Sequence, residues 1–447
     1  MIGDTENLPS RRRFLKTAAM TAAFGPFFLS PNRARSQQKT LKIAKWSHFL
    51  PEYDSWFEGV LAKNWGILHD TRVTVDHIPV EQTHASAAAE VRSGEGHDLF
   101  MFPWPPAEFQ QYAIDHNEVY QTVAFKFGNL DRLAHRSTFN SKTKAYFAFA
   151  DSWIPNPLHY FEDHWGQVGM PFGPVHYGSL HSGGKKIREK LGVPCGLAIA
   201  PSLEGNVTLH TLLFAFGGGV LDPEGRTIID VGARTVEALK YARALYRDAG
   251  TPEQLNWGSS GNVRAMVTRK TSCSLNAVSL LRTAEKENPE VAKKIRLQPP
   301  LLGSTGTGVF GLPHVTNCSA VWKFAENKEG AKQFLADLID NSKAIYEKSQ
   351  GCNFPLYQKT VPDLIVRLEN DPIGDPPFKY KGLKDALHWT HNLGFPGYAT
   401  PASMEVFNSF VIPKMFISVV KEELGPEDAA RAAQSEITKI SEKWKQV

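Results

Sequence analysis

Cysteine is scarce in this sequence, with four residues in 447. The wide spacing of Cys195, Cys273, Cys318 and Cys352 excludes a CxxC metal or redox motif. Since the first of them lies far from the N-terminus, a lipid-anchored lipoprotein is not expected. We expect most of these side chains to be buried small hydrophobic groups, although an oxidising compartment would permit disulfides.

Recognisable catalytic motifs are also missing. The sequence has no HExxH zinc motif and no GxSxG nucleophile elbow, which WGSSGN at residues 257–262 does not match. His388 with His391, and His159 with His164, are histidine pairs without a carboxylate-completed ligand triad around them. The sequence therefore shows no catalytic machinery, and we expect neither a metal nor a cofactor.

No apolar run near the N-terminus is long enough to span a membrane. Residues 17–29 form a short apolar stretch that Gly25 and Pro26 interrupt, whereas a spanning helix needs about 20 apolar residues. A basic segment before this stretch and small residues after it are typical of a cleavable export signal. We expect residues 1–36 to be this signal, with cleavage after Ser36.

The basic segment itself, SRRRFLK at residues 10–16, matches the twin-arginine signal pattern S/T-R-R-x-F-L-K. Arg11 and Arg12 are the arginine pair. The pattern predicts the twin-arginine export machinery as a partner and a mature protein in a bacterial periplasm. Ordinary secretory export is the alternative, and a basic surface patch is a third interpretation.

An excess of either charge is absent once the signal is removed. The whole chain has 50 Lys and Arg against 46 Asp and Glu. Residues 1–36 contain six of the basic and two of the acidic side chains, which leaves 44 of each. A formally neutral mature protein has little electrostatic attraction for nucleic acid, so we expect no nucleic-acid partner.

Strand and helix patterns alternate along the mature chain. The first lobe-sized segment has strand patterns at residues 41–46, 72–78 and 97–102, and helix patterns at 53–68 and in the alanine-rich stretch ending at Gly94. Beyond residue 150 we expect strands at 196–201 and 272–277 and a helix at 234–249. Strands separated by helices indicate a parallel sheet covered on both faces.

From about residue 325 the sequence becomes mostly helical, with a kink expected at Pro413. In the last helix, the apolar residues recur at spacings of four, three and four, namely Ala433, Ile437, Ile440 and Trp444. The expected architecture is therefore two α/β lobes and a helical C-terminal tail.

Aromatic side chains follow two of the expected strands. Trp46, His48 and Tyr53 come after the first strand, and Trp104 stands between prolines after the third. Ligands of open α/β sheets bind beyond the carboxyl ends of the strands, and an indole face suits the apolar C–H faces of a sugar. The alternative interpretation is that these rings are interior packing.

The order of motifs resembles the type 1 extracellular solute-binding proteins of ABC importers, the maltose-binding-protein-like class, over the whole mature sequence. The segments that carry the resemblance are WSHFLPEYDSWF (46–57), GHDLFMF (96–102), PNPLHYFEDHWGQVG (155–169), GGGVLDPEGRTIID (217–230), GVFGLPHV (308–315), NKEGAKQFL (327–335) and PGYATPASMEVFN (396–408). The chain departs from the family at VHYGSLHSGGKK (175–186), where the family has a Thr-Trp helix start.

The resemblance implies an α/β fold of two lobes joined by three crossovers, near residues 150–155, 311–313 and 354–357. Lobe 1 would comprise residues 37–150 with 312–356, and lobe 2 residues 151–311 with 357–447. The solute would bind between the lobes, which close by hinge motion. ABC permease subunits in the inner membrane would then receive the loaded protein.

The resemblance also implies ligand-binding roles for Trp46, His48, Glu52, Trp104, Tyr160, Gly218, Trp257, Asn276, Asn353 and Tyr398. The aromatic residues would stack on the ligand, and the polar ones would fix its hydroxyls. We expect a periplasmic receptor for a sugar or related polyhydroxy solute. The alternatives are a secreted carbohydrate-active or metal-dependent hydrolase, and a metal or peptide receptor on the same fold.

Overall fold

The computed structural model describes residues 39–229, 233–258, 260–303 and 308–446. The expected signal peptide, with Arg11, Arg12 and the cleavage site, lies outside the described residues. Within them the strands are β1 (Lys39–Trp46), β2 (Thr71–Ile78), β3 (Leu99–Phe102), β4 (Phe139–Asn140), β5 (Ala145–Tyr146), β6 (Phe149–Ile154), β7 (Leu158–Phe161), β8 (Cys273–Leu275), β9 (Ile295–Gln298), β10 (Val315–Val321) and β11 (Phe354–Pro355).

The helices cover the strands. They are α1 (Pro51–Trp56), α2 (Lys63–Leu68), α3 (Thr83–Ser93), α4 (Asn117–Phe127), α5 (Arg132–Thr138), α6 (Glu162–Gly166), α7 (Tyr177–Leu191), α8 (Leu203–Ala215), α9 (Ala233–Ala249), α10 (Gly261–Val267), α11 (Ser279–Glu287), α12 (Pro289–Ala292), α13 (Lys328–Asp340), α14 (Ser342–Lys348), α15 (Leu364–Glu369), α16 (Ala386–Trp389), α17 (Pro401–Asn408), α18 (Val411–Val420) and α19 (Pro426–Lys445). A π-helical segment, Phe57–Ala62, joins α1 to α2.

The larger sheet has six strands in the order β11-β6-β10-β3-β1-β2. Strand β1 is parallel to β2 and to β3, which confirms the parallel arrangement expected for the first hundred residues. Strand β10 runs antiparallel between β3 and β6, and β11 is antiparallel to β6. We call this sheet and its helices lobe 1.

The smaller sheet has three antiparallel strands in the order β8-β7-β9. We call this sheet, with the helices around it and the C-terminal helices, lobe 2. The chain leads from one sheet to the other between β6 and β7, between β9 and β10, and after Pro355. The division of the chain between the lobes at the expected crossovers remains a prediction.

Local sequence signals set several helix ends. Helix α3 ends at Gly94, which has the left-handed φ of +70° that glycine adopts without steric cost. Helix α7 begins after His176, whose ring accepts a hydrogen bond from the backbone N–H of Ser179 (3.0 Å). Histidine therefore provides the N-cap of this helix.

The strand expected at residues 196–201 does not form. Residues 196–200 are buried, but their backbone groups bond to partners outside a regular sheet. Gly196 donates its N–H to the Cys273 carbonyl (2.8 Å), and the Leu197 carbonyl accepts a hydrogen bond from Gln254 Nε2 (2.6 Å). An apolar run is also compatible with an irregular buried segment, so the apolar pattern alone led to the wrong element.

The prediction of a kink at Pro413 is also wrong. The break lies between α17 and α18, where Phe410 has a φ of +54°, and the two helices are bent by 41°. Pro413 falls in the first turn of α18, where the backbone N–H has no intrahelical acceptor, so the proline costs the helix nothing.

Among the described residues, no single helix is long and apolar enough to cross a membrane. By length and composition only, the bent pair of α17 and α18 meets that requirement.

Candidate functional site

The indole of Trp46, at the end of β1, lies where the two lobes meet. It is 2% exposed and packs in a small cluster with Ile154, Val315 and Ala277. Ala277 follows β8 of lobe 2, whereas Trp46 belongs to lobe 1. The indole Nε1 donates to Asn317 Oδ1 (2.9 Å), which fixes the ring orientation.

A buried polar network lies behind Trp46. Asn317 Nδ2 donates to Ser152 Oγ (2.9 Å), and Ser152 Oγ donates to Asp151 Oδ1 (2.6 Å). Lys45 Nζ donates to Asp54 Oδ1 (2.5 Å) and to the Trp46 carbonyl (3.1 Å). Burial lowers the pKa of Lys45 and raises the pKa of Asp151 to about 7. The network holds both the backbone and the ring of Trp46.

A cavity of about 190 Å³ lies beside this cluster, between the lobes. Phe49 and His314 line it from the lobe 1 side, and their rings meet edge to face with centroids 5.4 Å apart. Asn276, Glu204 and Ser279 line it from lobe 2. The lobe 1 wall is therefore aromatic, and the lobe 2 wall combines polar and charged side chains with Val263 and Val267.

Two polar atoms of the lobe 2 wall are buried without a hydrogen-bond partner among the described residues, namely Asn276 Nδ2 and Glu204 Oε2. Asn276 and Glu204 are each 2% exposed. The Oδ1 of Asn276 already accepts from the Ala277 N–H (2.6 Å), so its NH₂ group is the free end. A buried polar atom without a partner costs about 1–3 kcal/mol, which a ligand's hydroxyl group would recover.

Burial shifts the ionisation of the Glu204 carboxyl group. It is the second residue of α8, and Ser202 caps the helix by accepting the Gly205 N–H (3.2 Å). Burial raises the pKa of Glu204 to about 8. At neutral pH this carboxyl group is therefore largely protonated, and it can donate as well as accept a hydrogen bond.

Several expected site residues lie near this cavity or beneath it. Asn276 lines it, and Trp46 lies beside it. His48 and Asn353 are buried in lobe 1, where His48 Nε2 lies 3.2 Å from Asn353 Oδ1. Burial lowers the pKa of His48 to about 4.

Two further expected residues contact the opposite lobe. Glu52 is exposed and forms an ion pair with Lys286 of α11. Trp104 is half-buried and packs on Phe407 of α17, with ring centroids 5.9 Å apart. Both contacts join lobe 1 to lobe 2, so the lobes are close together in this structure.

The remaining expected residues do not join the group. Tyr160 is buried in β7 against Gly173, and Trp257 packs against Gly261. Gly218 lines a separate cavity of about 360 Å³ in lobe 2. Tyr398 lines another cavity, beside the β4–β5 hairpin. The ligand-binding roles of all ten residues remain predictions.

Sequence reasoning missed Phe49, Glu204, Ser279 and His314. A signal existed for two of them, because Phe49 follows the first strand by three residues and His314 adjoins an expected crossover. Glu204 carried no signal, since a glutamate in the first turn of a helix is normally a solvated partner of the helix dipole.

The described part of the chain contains no group of three or more His, Cys, Asp or Glu side chains that could hold a metal ion. Of the two histidine pairs noted in the sequence, His388 has an 86% exposed side chain, and His391 stacks on Phe310 with centroids 4.7 Å apart. His159 is fully buried in β7.

We expect folding stability to be greatest near pH 6.5. Five buried histidines remain neutral because burial lowers the pKa of His48, His116 and His210 to about 4 and of His159 and His314 to about 3. The unfolded chain takes up these protons below pH 6.5, so stability falls on acidification. Glu204 and Asp151, with a pKa raised to about 8 and about 7, have the opposite effect, and stability falls as pH rises towards 8.

Below pH 6.5 the five histidines outweigh the two carboxyl groups, whereas above it the two carboxyl groups outweigh the histidines. Urea unfolding at pH 5, 6.5 and 8 measures the loss of stability on the acidic and the alkaline side of the maximum. The double variant Glu204→Gln, Asp151→Asn should lose much less stability between pH 6.5 and 8 than the wild type. If the variant lost as much stability as the wild type between pH 6.5 and 8, other groups would be responsible for the alkaline loss of stability.

Comparison with protein-family models finds no match, and comparison with curated protein sequences finds none. Solved structures do match. An ABC transporter solute-binding protein from Thermotoga lettingae, bound to α-D-tagatose, has a TM-score of 0.74 at 17% identity, covering 90% of this chain and 100% of that one. The chain has the two-lobe fold of periplasmic binding proteins. In this fold the cavity beside Trp46 is the cleft between the lobes, and we call it the cleft cavity.

Two other structures share the periplasmic-binding-protein fold. Maltose-bound MalE3 of T. maritima has a TM-score of 0.73 at 18% identity, covering 89% of this chain and 98% of that chain. An ABC transporter solute-binding protein from Agrobacterium radiobacter, in complex with ribitol, has a TM-score of 0.69 at 18% identity, covering 90% and 98%.

Proposed function

We propose that this protein is the periplasmic substrate-binding component of an ABC importer. It binds a sugar or related polyhydroxy solute in the cleft cavity, the lobes close on the solute, and the closed protein delivers it to permease subunits in the inner membrane. The observation that carries the proposal is the pair of unpartnered buried atoms, Asn276 Nδ2 and Glu204 Oε2, in a cavity between two lobes of this fold.

The chemistry of the cleft cavity suits a hydroxyl-rich ligand. A hydroxyl group both donates and accepts, so one hydroxyl can accept from the Asn276 amide while another bonds the Glu204 carboxyl group. Phe49 offers an apolar face for the C–H side of a ring. The cavity is smaller than the roughly 300–1,000 Å³ of drug-sized sites, which favours a small solute.

The structural neighbours support the same ligand class, because their bound molecules are a monosaccharide, a disaccharide and a polyol. The neighbours named as solute-binding proteins are binding proteins rather than enzymes, and our proposal extends that role to this chain. We also propose the two-lobe division at residues 37–150 with 312–356 and 151–311 with 357–447, and twin-arginine export of the chain before removal of residues 1–36.

A thermal-shift screen tests the ligand class. Purified protein is heated with α-D-tagatose, maltose, ribitol and a wider panel of neutral sugars and polyols. A true ligand at 100 times its dissociation constant should add about 2.7 kcal/mol to the free energy of unfolding. Stabilisation by no sugar or polyol would refute the ligand class.

A separate experiment tests the alternative that the protein is a hydrolase. Each stabilising sugar is incubated with the protein and analysed for hydrolysis products. We expect the sugar to be recovered unchanged. Product formation that Glu204→Gln abolishes would replace the receptor proposal with a hydrolase.

A further inference from the structure

A second cavity, of about 270 Å³, lies between the lobes and shares no lining residue with the cleft cavity. Lobe 1 contributes the β4–β5 hairpin and the segment around Glu108. Lobe 2 contributes the turn at residues 223–225, the start of α17 and the end of α19. We call it the flank pocket.

Three half-buried aromatic rings line the flank pocket, those of Phe139, Tyr398 and Trp444. Phe139 and Tyr398 are neighbours, with ring centroids 5.9 Å apart. Trp444 Nε1 donates to Glu405 Oε2 (2.5 Å), which anchors the indole. The rings come from both lobes and provide apolar faces beside the polar side chains of the pocket.

The polar lining includes a carboxylate with a free acceptor. The Glu108 side chain is 8% exposed, and its Oε1 accepts from Asn408 Nδ2 (2.6 Å). Its Oε2 is buried and has no hydrogen-bond partner among the described residues. Such an atom is costly unless something donates to it, and no protein group of the described chain does.

The charges that line the flank pocket balance. Glu108 and Glu224 carry two negative charges, and Lys142 and Lys445 carry two positive ones. A balanced lining gives no net attraction for an ion, whereas aromatic faces combined with the Asn140 amide and the Thr400 and Ser441 hydroxyls suit a neutral ligand with many hydroxyl groups.

We propose that the flank pocket is a second binding site for a neutral polyhydroxy molecule, a sugar or polyol, with Glu108 Oε2 accepting a ligand hydroxyl and Trp444 stacking on it. This site goes beyond the receptor function of the cleft cavity. Because both lobes line the flank pocket, its ligand binds the closed arrangement better than a separated one. By linkage, each ligand then raises the affinity of the other.

Hydrogen exchange locates binding in either cavity. The full mature protein is exposed to maltose, ribitol and α-D-tagatose at increasing concentrations up to the millimolar range. We expect a second phase of protection at residues 139–143 and 398–402, separate from protection at residues 276–283 in the cleft. Protection confined to the cleft at every concentration, or absent from both regions, would overturn the flank site.

Matched variants separate the two sites by calorimetry. Trp444→Ala should weaken the second binding phase at least about tenfold and leave intrinsic cleft binding nearly unchanged. Asn276→Ala should do the reverse. If Trp444→Ala fails to fold by circular dichroism, Glu108→Gln replaces it, with the same expected weakening. A second phase that is insensitive to the flank variant would refute the site, whereas loss of the cleft phase alone would refute only the receptor function.

Discussion

Asn276→Ala is expected to weaken solute binding in the cleft about 10- to 100-fold while leaving the ligand-free protein as stable as the wild type. In the ligand-free protein the truncation removes an NH₂ group that is buried without a partner among the described residues, and it also removes the Oδ1 that accepts from the Ala277 N–H (2.6 Å), so the two effects on stability offset each other. In the complex, the same removal leaves a ligand hydroxyl unpaired at a cost of about 1–3 kcal/mol, and each 1.4 kcal/mol is tenfold in affinity.

Isothermal titration and urea unfolding measure the two effects separately. Asn370→Ala is the matched control, because Asn370 is exposed and bonds only its own helix, through Nδ2 to the Val366 carbonyl (3.0 Å). We expect the control to bind as the wild type does. If Asn276→Ala instead bound normally and unfolded at lower urea, its amide would be structural and the proposed site would lose its main donor.

Arg282→Ala is expected to lower the free energy of unfolding by about 3–5 kcal/mol. The Arg282 side chain is 2% exposed and forms a two-pronged pair with Asp371, with nitrogen–oxygen distances of 2.9 and 2.6 Å. It also donates to Glu285 Oε2 (2.9 Å) and to the Gln350 carbonyl (2.6 Å), and it lies over the Tyr380 ring. Removing the guanidinium would leave two buried carboxylates without their cation.

Urea unfolding at pH 7 measures this loss, and Arg247→Ala provides the control. Arg247 pairs with Asp248, but its side chain is 68% exposed, so its removal should lower stability far less than the removal of Arg282. The bond from Arg282 to Gln350 ties α11 to the segment that leads into β11, near the third passage between the lobes. A loss below about 1 kcal/mol in Arg282→Ala would mean that water or neighbouring groups replace the cation.

Local patterns in the sequence were sufficient for much of the secondary structure. Period-two alternation located β1 and β2, and the four-three-four spacing in α19 placed Ala433, Ile437 and Ile440 in the core. These elements follow directly from burying one face of a strand or helix. The predictions of a strand at residues 196–201 and of a kink at Pro413 were wrong, because an apolar run and a proline are each compatible with more than one backbone conformation.

The residues around the cleft cavity also show which features could be predicted from the sequence and which could not. The strand-end argument predicted a ligand-binding role for Trp46, which lies beside the cleft cavity, because parallel strands present their carboxyl ends at one edge. The family resemblance named Asn276, which lines that cavity. Sequence reasoning assigned no role to Glu204 or His314, which line the cleft cavity, and it gave roles to His48 and Tyr160, which do not line it.

The sequence by itself thus determined the elements, their alternation and the export signal's pattern, all of which depend on neighbouring residues. Only the tertiary structure decided which side chains face the cleft cavity and the flank pocket, which carboxyl groups are buried enough to shift their pKa, and which polar atoms lack a partner. The physical reason is that the burial of a side chain, the charges around it and its hydrogen-bond partners depend on residues that are far apart in the chain. Glu108, for example, accepts a hydrogen bond from Asn408, 300 positions away.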